Sequence, residues 1–155
     1  MTGTRLYGAV FDLDGTLLDT EGISHRAIHQ AVSAFGKTHT RALHKSILGR
    51  PSAEWTRMVK RGKPEPDIFL LAAKRLYEKT AGVTVAVGEA ATIPHCVVFE
   101  DSVLGVQAGK SANMSVVAIP DARIFETAEE RETLFQHADD IITSLELFQF
   151  EKYGW

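Results

Sequence analysis

The chain contains a single cysteine, Cys96, among its 155 residues, so no disulfide can form within it. Cys96 lies in the apolar run Cys96-Val97-Val98-Phe99, where a thiol serves as a small buried hydrophobe. Positive charge is also scarce: 17 Lys and Arg stand against 20 Asp and Glu, for a net charge of −3. No basic field is therefore available to hold nucleic acid or an anionic membrane surface. No run approaches the ~18 consecutive apolar residues of a membrane-spanning helix. The first residues lack the charged and apolar regions of a secretory leader. These absences make a reducing, aqueous, cytoplasmic setting the expectation. Internal repeats and low-complexity tracts are missing too. What is present, 45% apolar and 24% charged residues, suits a soluble globular domain. The length fits one domain, 1–155, better than two.

Strand-like and helix-like patterns alternate along the chain. Residues 5–11 are apolar nearly throughout, as in a strand buried on both faces of a parallel sheet. From Glu21 the period changes: Ile23, Ala27, Ile28, Ala31, Val32 and Phe35 share one helical face, and Gly36 suits a left-handed C-terminal cap. Further helices are expected over 39–48 and 53–59. The segment Arg61-Gly62-Lys63-Pro64-Glu65-Pro66 reads as a stiff connector, because residues preceding proline avoid the α region. Asp67 is expected to cap a helix whose inner face is Ile68, Leu71, Ala72 and Leu76. Residues 83–87 have strand character inside what reads as a surface insertion. A second buried strand is expected over 96–99. A helix then covers 102–112, with Gly105, Ala108 and Gly109 allowing close packing and Asn113 as its left-handed cap. A third strand, 115–119, is stopped by Pro120. A polar helix over 127–137, a short strand at 141–142 and a terminal helix over 144–150 complete the order. Strands alternating with helices predict an α/β fold with a parallel sheet.

The chemistry concentrates at the strand ends. The first strand runs into Phe11-Asp12-Leu13-Asp14-Gly15-Thr16, and side chains at i and i+2 of a strand point the same way. Gly15 permits a sharp turn that leaves amide N–H groups free to face an anion. Glu100 and Asp101 end the second strand, and ligands of an open parallel sheet bind beyond such ends. Carboxylates crowded at one edge need a hard divalent cation, and oxygen-only ligands suit Mg²⁺. Lys63 adds a positive charge that would bind phosphate as a point charge. His25 and His29 are spaced i, i+4 but lack the intervening glutamate of a zinc protease, which argues against a histidine-based metal site.

Three spaced motifs, Asp12-Leu13-Asp14-Gly15-Thr16, Lys63-Pro64-Glu65-Pro66-Asp67 and Phe99-Glu100-Asp101-Ser102, resemble those of the haloacid dehalogenase (HAD) superfamily. Within it the chain is most similar to the small capped phosphatases of the phosphoglucomutase-like group, and Gly62 to Leu70 with Val97 to Asp101 resemble its pseudouridine-5′-phosphatase-like members. The resemblance implies a Rossmann-like core with a truncated parallel sheet of about four strands and a partial helical cap over 20–59. It also implies a Mg²⁺-dependent phosphatase acting on a small phosphorylated metabolite, a sugar or nucleoside phosphate. By that resemblance Asp12 is the nucleophile, forming an aspartyl-phosphate, and Asp14 is the acid and then the base. Lys63 balances charge between Asp12 and the phosphate, and Leu13, Gly15 and Thr16 line the phosphate site. Asp12, Asp14 (through its carbonyl), Asp101 and Glu100 surround the metal.

The chain departs from that pattern in one respect. A Ser or Thr closing a further apolar strand, between the first motif and the lysine, is not found: Ser52, Thr56, Thr84 and Thr92 do not follow a buried strand in that interval. The short stretch from Thr20 to Lys63 reads as an internal deletion near Met58-Val59-Lys60. Its expected consequences are an impaired, binding or regulatory derivative as the alternative function, and a first strand left at the sheet edge, where exposed apolar strands self-associate.

Overall fold

The computed structural model describes residues 7–34, 36, 38, 40, 61–84 and 95–154. Four strands, β1 (Gly8–Phe11), β2 (Cys96–Glu100), β3 (Ser115–Ala118) and β4 (Asp140–Ile141), form one sheet in the order β1-β2-β3-β4. All three pairings are parallel, with Gly8 opposite Cys96 and Phe11 opposite Phe99. Helix α1 (Glu21–Ala34) and helix α2 (Asp67–Ala81) fall between β1 and β2. Helix α3 (Val103–Ser111) joins β2 to β3, and α4 (Ala128–Leu134) joins β3 to β4. This is the expected α/β architecture with a Rossmann-like parallel sheet. Among the described residues no helix is long and apolar enough to cross a membrane.

Alternation along the central strands builds two cores. Cys96 and Val98 of β2, with Val116 and Ala118 of β3, pack beneath Phe69 and Ala73 of α2 and Val106 and Ala108 of α3. The intervening Val97, Phe99 and Val117 face the other way, against Phe148, with Leu145 and Tyr153 packed around them. On that side Phe99 is sandwiched: Phe11 stacks on it at 4.6 Å and Phe148 meets it edge-on at 4.9 Å. Strand β2 is buried at every position, as a strand covered on both faces must be. Gly109 makes the close approach of α3 possible, because a Cβ there would lie 2.7 Å from the Val116 side chain. Asn113 ends that helix at φ 58°, the left-handed cap its sequence position suggested.

Several expectations need correction. Strand β1 is half-buried, and Phe11 is 41% exposed, because among the described residues β1 pairs with β2 alone. Ile23, assigned to the inner face of α1, is 62% exposed. Gly36 does adopt the left-handed conformation, at φ 65°. Asp67 is the first helical residue of α2 and not its cap. Pro66 occupies the cap position without a side-chain bond, while the Asp67 carboxylate is held by Arg61 at 2.8 Å. The buried stripe of α2 runs through Phe69 and Ala73 instead of Leu71 and Ala72. The last segment is two 3-10 turns, Leu145–Leu147 and Phe150–Tyr153, because the extended backbone at Phe148 turns its ring into the pocket beside Phe99. The helices over 39–48 and 53–59, the strand-like run over 85–87, and Ser52, Thr56, Met58 and Thr92 lie outside the described residues. So does most of the 20–59 cap beyond α1.

Candidate active site

The site is built where β1 and β2 end side by side. Asp12 follows β1 directly and is fixed to the neighbouring strand by its backbone N–H, which donates to the Phe99 carbonyl at 3.0 Å. Beyond it the chain folds into a closed turn: the Gly15 N–H reaches the Leu18 carbonyl at 2.8 Å, and the Leu17 and Leu18 N–H groups both return to Leu13. Gly15 takes φ 86° in that turn, a conformation available to glycine at no steric penalty. Thr16 Oγ1 is buried in it with no hydrogen-bond partner among the described residues.

Lys63 enters from the connector before α2. Its Nζ donates to Asp12 Oδ1 at 2.7 Å and to Glu100 Oε1, and it lies 5.6 Å from the centre of the Phe69 ring. The connector is closed around it by Arg61, which bonds Asp67 and pairs with Glu65 at 2.9 Å. Glu100, the last residue of β2, is fully buried. Its second oxygen, Oε2, accepts from the Ser102 N–H at 3.3 Å and the Ser102 hydroxyl at 3.0 Å. The Ser102 hydroxyl in turn accepts from the Gly105 N–H at 3.1 Å as the N-cap of α3. The Glu100 carboxylate lies against the first turn of that helix: a Cβ on Gly105 would sit 1.9 Å from its carboxyl carbon.

Electrostatics follow from this crowding. Burial pushes Glu100 up to about 7, with Lys63 pulling it down and Asp12 adding to the rise. For Lys63, burial disfavours the charge, but Glu100 and Asp12 together outweigh it and hold the ammonium above the ordinary lysine value. The two directions are compatible, because one ammonium serves more than one carboxylate. Asp12, Glu100 and Asp101 each place a carboxylate oxygen within 4.8 Å of the others. Three carboxylates against Lys63 leave an excess of two negative charges when all are ionised. That excess and the hard-oxygen donor set fit a divalent cation such as Mg²⁺. Asp14 is exposed, and its carboxylate is not part of this group.

Of the residues expected at the site, Asp12, Lys63, Glu100 and Asp101 meet, while Leu13, Asp14, Gly15 and Thr16 form the adjoining turn. The Asp14 carboxylate does not converge with Asp12 as strand alternation suggests, because the chain turns after Asp12, and the Gly15 N–H is bonded within that turn instead of free. Sequence reasoning misses Ser102 as a donor to Glu100. It also reads Gly105 as a packing residue, whereas its missing side chain admits the Glu100 carboxylate. The signal was present, since an N-cap serine two positions after a buried acid, then a glycine in the first helical turn, leaves room for that acid to fold back.

No family model matches the chain. Over 96 residues it is 41% identical to a bifunctional riboflavin kinase/FMN phosphatase of Arabidopsis thaliana, a match covering 62% of this chain and 20% of that protein. It is also 41% identical over 93 residues to a probable pseudouridine-5′-phosphatase of Drosophila melanogaster, covering 60% of this chain and 33% of the relative. The chain therefore spans about a fifth to a third of the length of these curated relatives. Among solved structures, a putative β-phosphoglucomutase of Thermotoga maritima superposes with a TM-score of 0.57 at 19% identity, over 96% of this chain and 99% of that one. A haloacid dehalogenase-like protein of Agrobacterium tumefaciens gives 0.55 at 17% identity, over 89% and 93%. The fold is that of the haloacid dehalogenase-like proteins, and the sequence relatives named here are phosphatases.

Proposed function

We propose that the chain is the catalytic core of a Mg²⁺-dependent phosphatase that hydrolyses a small phosphomonoester, a sugar or nucleoside phosphate, through an aspartyl-phosphate on Asp12. The observation that carries this reading is the Lys63 ammonium placed against Asp12 and Glu100 at the ends of two parallel strands. In the first step an Asp12 oxygen attacks phosphorus, the bond to the leaving oxygen breaks, and Asp14 gives its proton to that oxygen. Asp14, solvent-exposed and outside the acidic cluster, is suited to exchanging protons with water. In the second step Asp14 takes a proton from water, the water oxygen attacks phosphorus, and the Asp12 carboxylate is released with inorganic phosphate. Lys63 holds Asp12 in its attacking orientation and offsets charge on the phosphoryl oxygens. The buried Thr16 hydroxyl, without a hydrogen-bond partner among the described residues, provides a donor for the same oxygens, whereas the Gly15 N–H is bonded to the Leu18 carbonyl and Leu13 and Gly15 serve by shaping the turn. Asp12 and Asp101 would hold the metal, with Glu100 behind them, and bound Mg²⁺ would supply positive charge to the transferring group. The segment 20–59, of which α1 is described, is proposed to act as a cap over the site that selects the substrate. The phosphatase names of the relatives do not favour a non-catalytic derivative.

Phosphate release from p-nitrophenyl phosphate and a panel of sugar and nucleoside monophosphates, with and without Mg²⁺, tests the reading. No release from any of them in the presence of Mg²⁺ overturns it.

The metal assignment makes a separate prediction. Because Glu100 binds its proton more tightly when folded than at its ordinary value of 4.5, its contribution to stability is full below about 4.5. It is lost as pH rises to about 7, by roughly 2–3 kcal/mol in the absence of metal. Millimolar Mg²⁺ should stabilise the ionised cluster and flatten that decline, and Asp101→Asn should abolish the Mg²⁺ effect. Thermal melts between pH 4.5 and 8, with calorimetric Mg²⁺ titration of both proteins, are the measurement. A flat metal-free profile, or Mg²⁺ stabilisation untouched by Asp101→Asn, removes the assignment.

A further inference from the structure

The turn that carries Asp12 and Asp14 ends at Asp19, immediately before α1. Asp19 does not stand alone. Arg123, from the loop after β3, donates from Nη1 to Asp19 Oδ2 at 3.0 Å and from Nη2 to Asp19 Oδ1 at 2.7 Å, across 104 positions of sequence. The rest of the same guanidinium is held from behind: Nε reaches both oxygens of Asp121 at 3.0 and 2.9 Å, and Nη2 reaches Oδ2 at 2.6 Å. The backbone N–H of Arg123 closes the local turn on Asp121 Oδ1 at 2.7 Å. Asp121 is the more buried partner, with 12% of its side chain exposed against 63% for Asp19, so it anchors the arginine to the core. Asp19 also accepts a backbone hydrogen bond from Gly22 in the first turn of α1, and the bonds from Arg123 hold its carboxyl below the ordinary aspartate value.

We propose that Arg123 is a positioning residue, a clasp that fixes the start of α1 to the β3 side of the active-site rim and so sets how that helix lies over the substrate. The guanidinium fork suits this role, since it can grip two carboxylates bidentately at once, which an ammonium cannot do. Its contribution to global stability is small because exposed ion pairs are worth little. The turn from Asp12 to Leu18 is closed by its own backbone bonds and tied to Phe99, so releasing the clasp frees α1 and leaves Asp12 in place. The effect on substrate selection rests on the phosphatase reading above; the clasp itself does not.

Amide hydrogen exchange of the parent and of Arg123→Ala separates the two. The clasp predicts exchange at residues 19–24 faster by about tenfold or more, with the β2 and β3 amides unchanged. Asp19→Asn should reproduce this, and Arg123→Lys should fall between. In turnover assays KM should rise about fivefold while kcat changes less than about twofold. Unchanged exchange at 19–24 overturns the clasp. Faster exchange with an unchanged KM overturns the positioning role, and a fall in kcat alone shows that Arg123 acts on the Asp12 turn instead. If the parent shows no turnover, the phosphatase reading fails and the exchange result alone decides the clasp.

Discussion

Asp12→Asn is expected to abolish phosphomonoester turnover while leaving the fold intact. The substitution keeps the shape of the side chain and removes the charge that attacks phosphorus in the proposed reaction, so the proposed covalent intermediate could not form. The expected loss is at least about 10⁴-fold, on the scale seen when the nucleophile of a covalent mechanism is removed. Stability should change little or improve, because Asp12 is one of the carboxylates competing for the single Lys63 ammonium. Beryllium trifluoride, a phosphoryl mimic, should quench the fluorine signal of free ligand on binding the parent and show no binding to the variant. Turnover by Asp12→Asn at a tenth or more of the parent's rate would mean that another group carries the chemistry.

Gly105→Ala is expected to damage the site from outside it. In an ordinary helix this change stabilises by roughly 0.5–1 kcal/mol. Here the added methyl would lie 1.9 Å from the Glu100 carboxyl carbon and from Oε2, so the carboxylate must leave its place. Moving it breaks the bonds to Ser102 and to Lys63 and strands a buried charge, a disruption of about 3–5 kcal/mol that outweighs the gain in helix propensity. At this chain length the melting temperature should fall by roughly 10 °C, with turnover reduced at least about 100-fold as Lys63 loses its second anchor. Calorimetric melting and steady-state kinetics check both numbers. A melting temperature within a degree of the parent would show that the carboxylate has room to spare.

Both predictions bear on what the amino-acid pattern discloses. The convergence of Asp12, Lys63, Glu100 and Asp101 is legible because strand ends of a parallel sheet share an edge and acidic residues at such ends are conspicuous. Strands β2 and β3 are legible because burial on both faces forces an unbroken apolar run. The inner face of α2 is not legible from the sequence because Ile68, Phe69, Leu70, Leu71, Ala72 and Ala73 are all apolar. With no polar residue in the first turns to mark the outside, packing beneath β2 selects Phe69 and Ala73. The terminal segment departs from the expected helix because helical spacing and an aromatic anchor compete at Phe148, and the anchor prevails. Arg123 was unreadable for a different reason. Its partner Asp19 is distant in the chain, and no periodicity connects an exposed arginine to an exposed aspartate.

The order of the strands has a consequence for how the site comes into being. From Cys96 to Ile141 each strand pairs with the next one in sequence, so the pocket of Glu100, Ser102 and Gly105 is assembled from contacts local to that stretch. Asp12 is different. It reaches the pocket through a ladder that links Phe11 to Phe99 and through Lys63, both of them contacts between distant parts of the chain and so long loop closures. The contacts among Glu100, Ser102 and Gly105 therefore need no residue of β1, whereas Asp12 is placed by its pairing with β2. Placing Asp12 beside Glu100 thus depends on the docking of one four-residue strand.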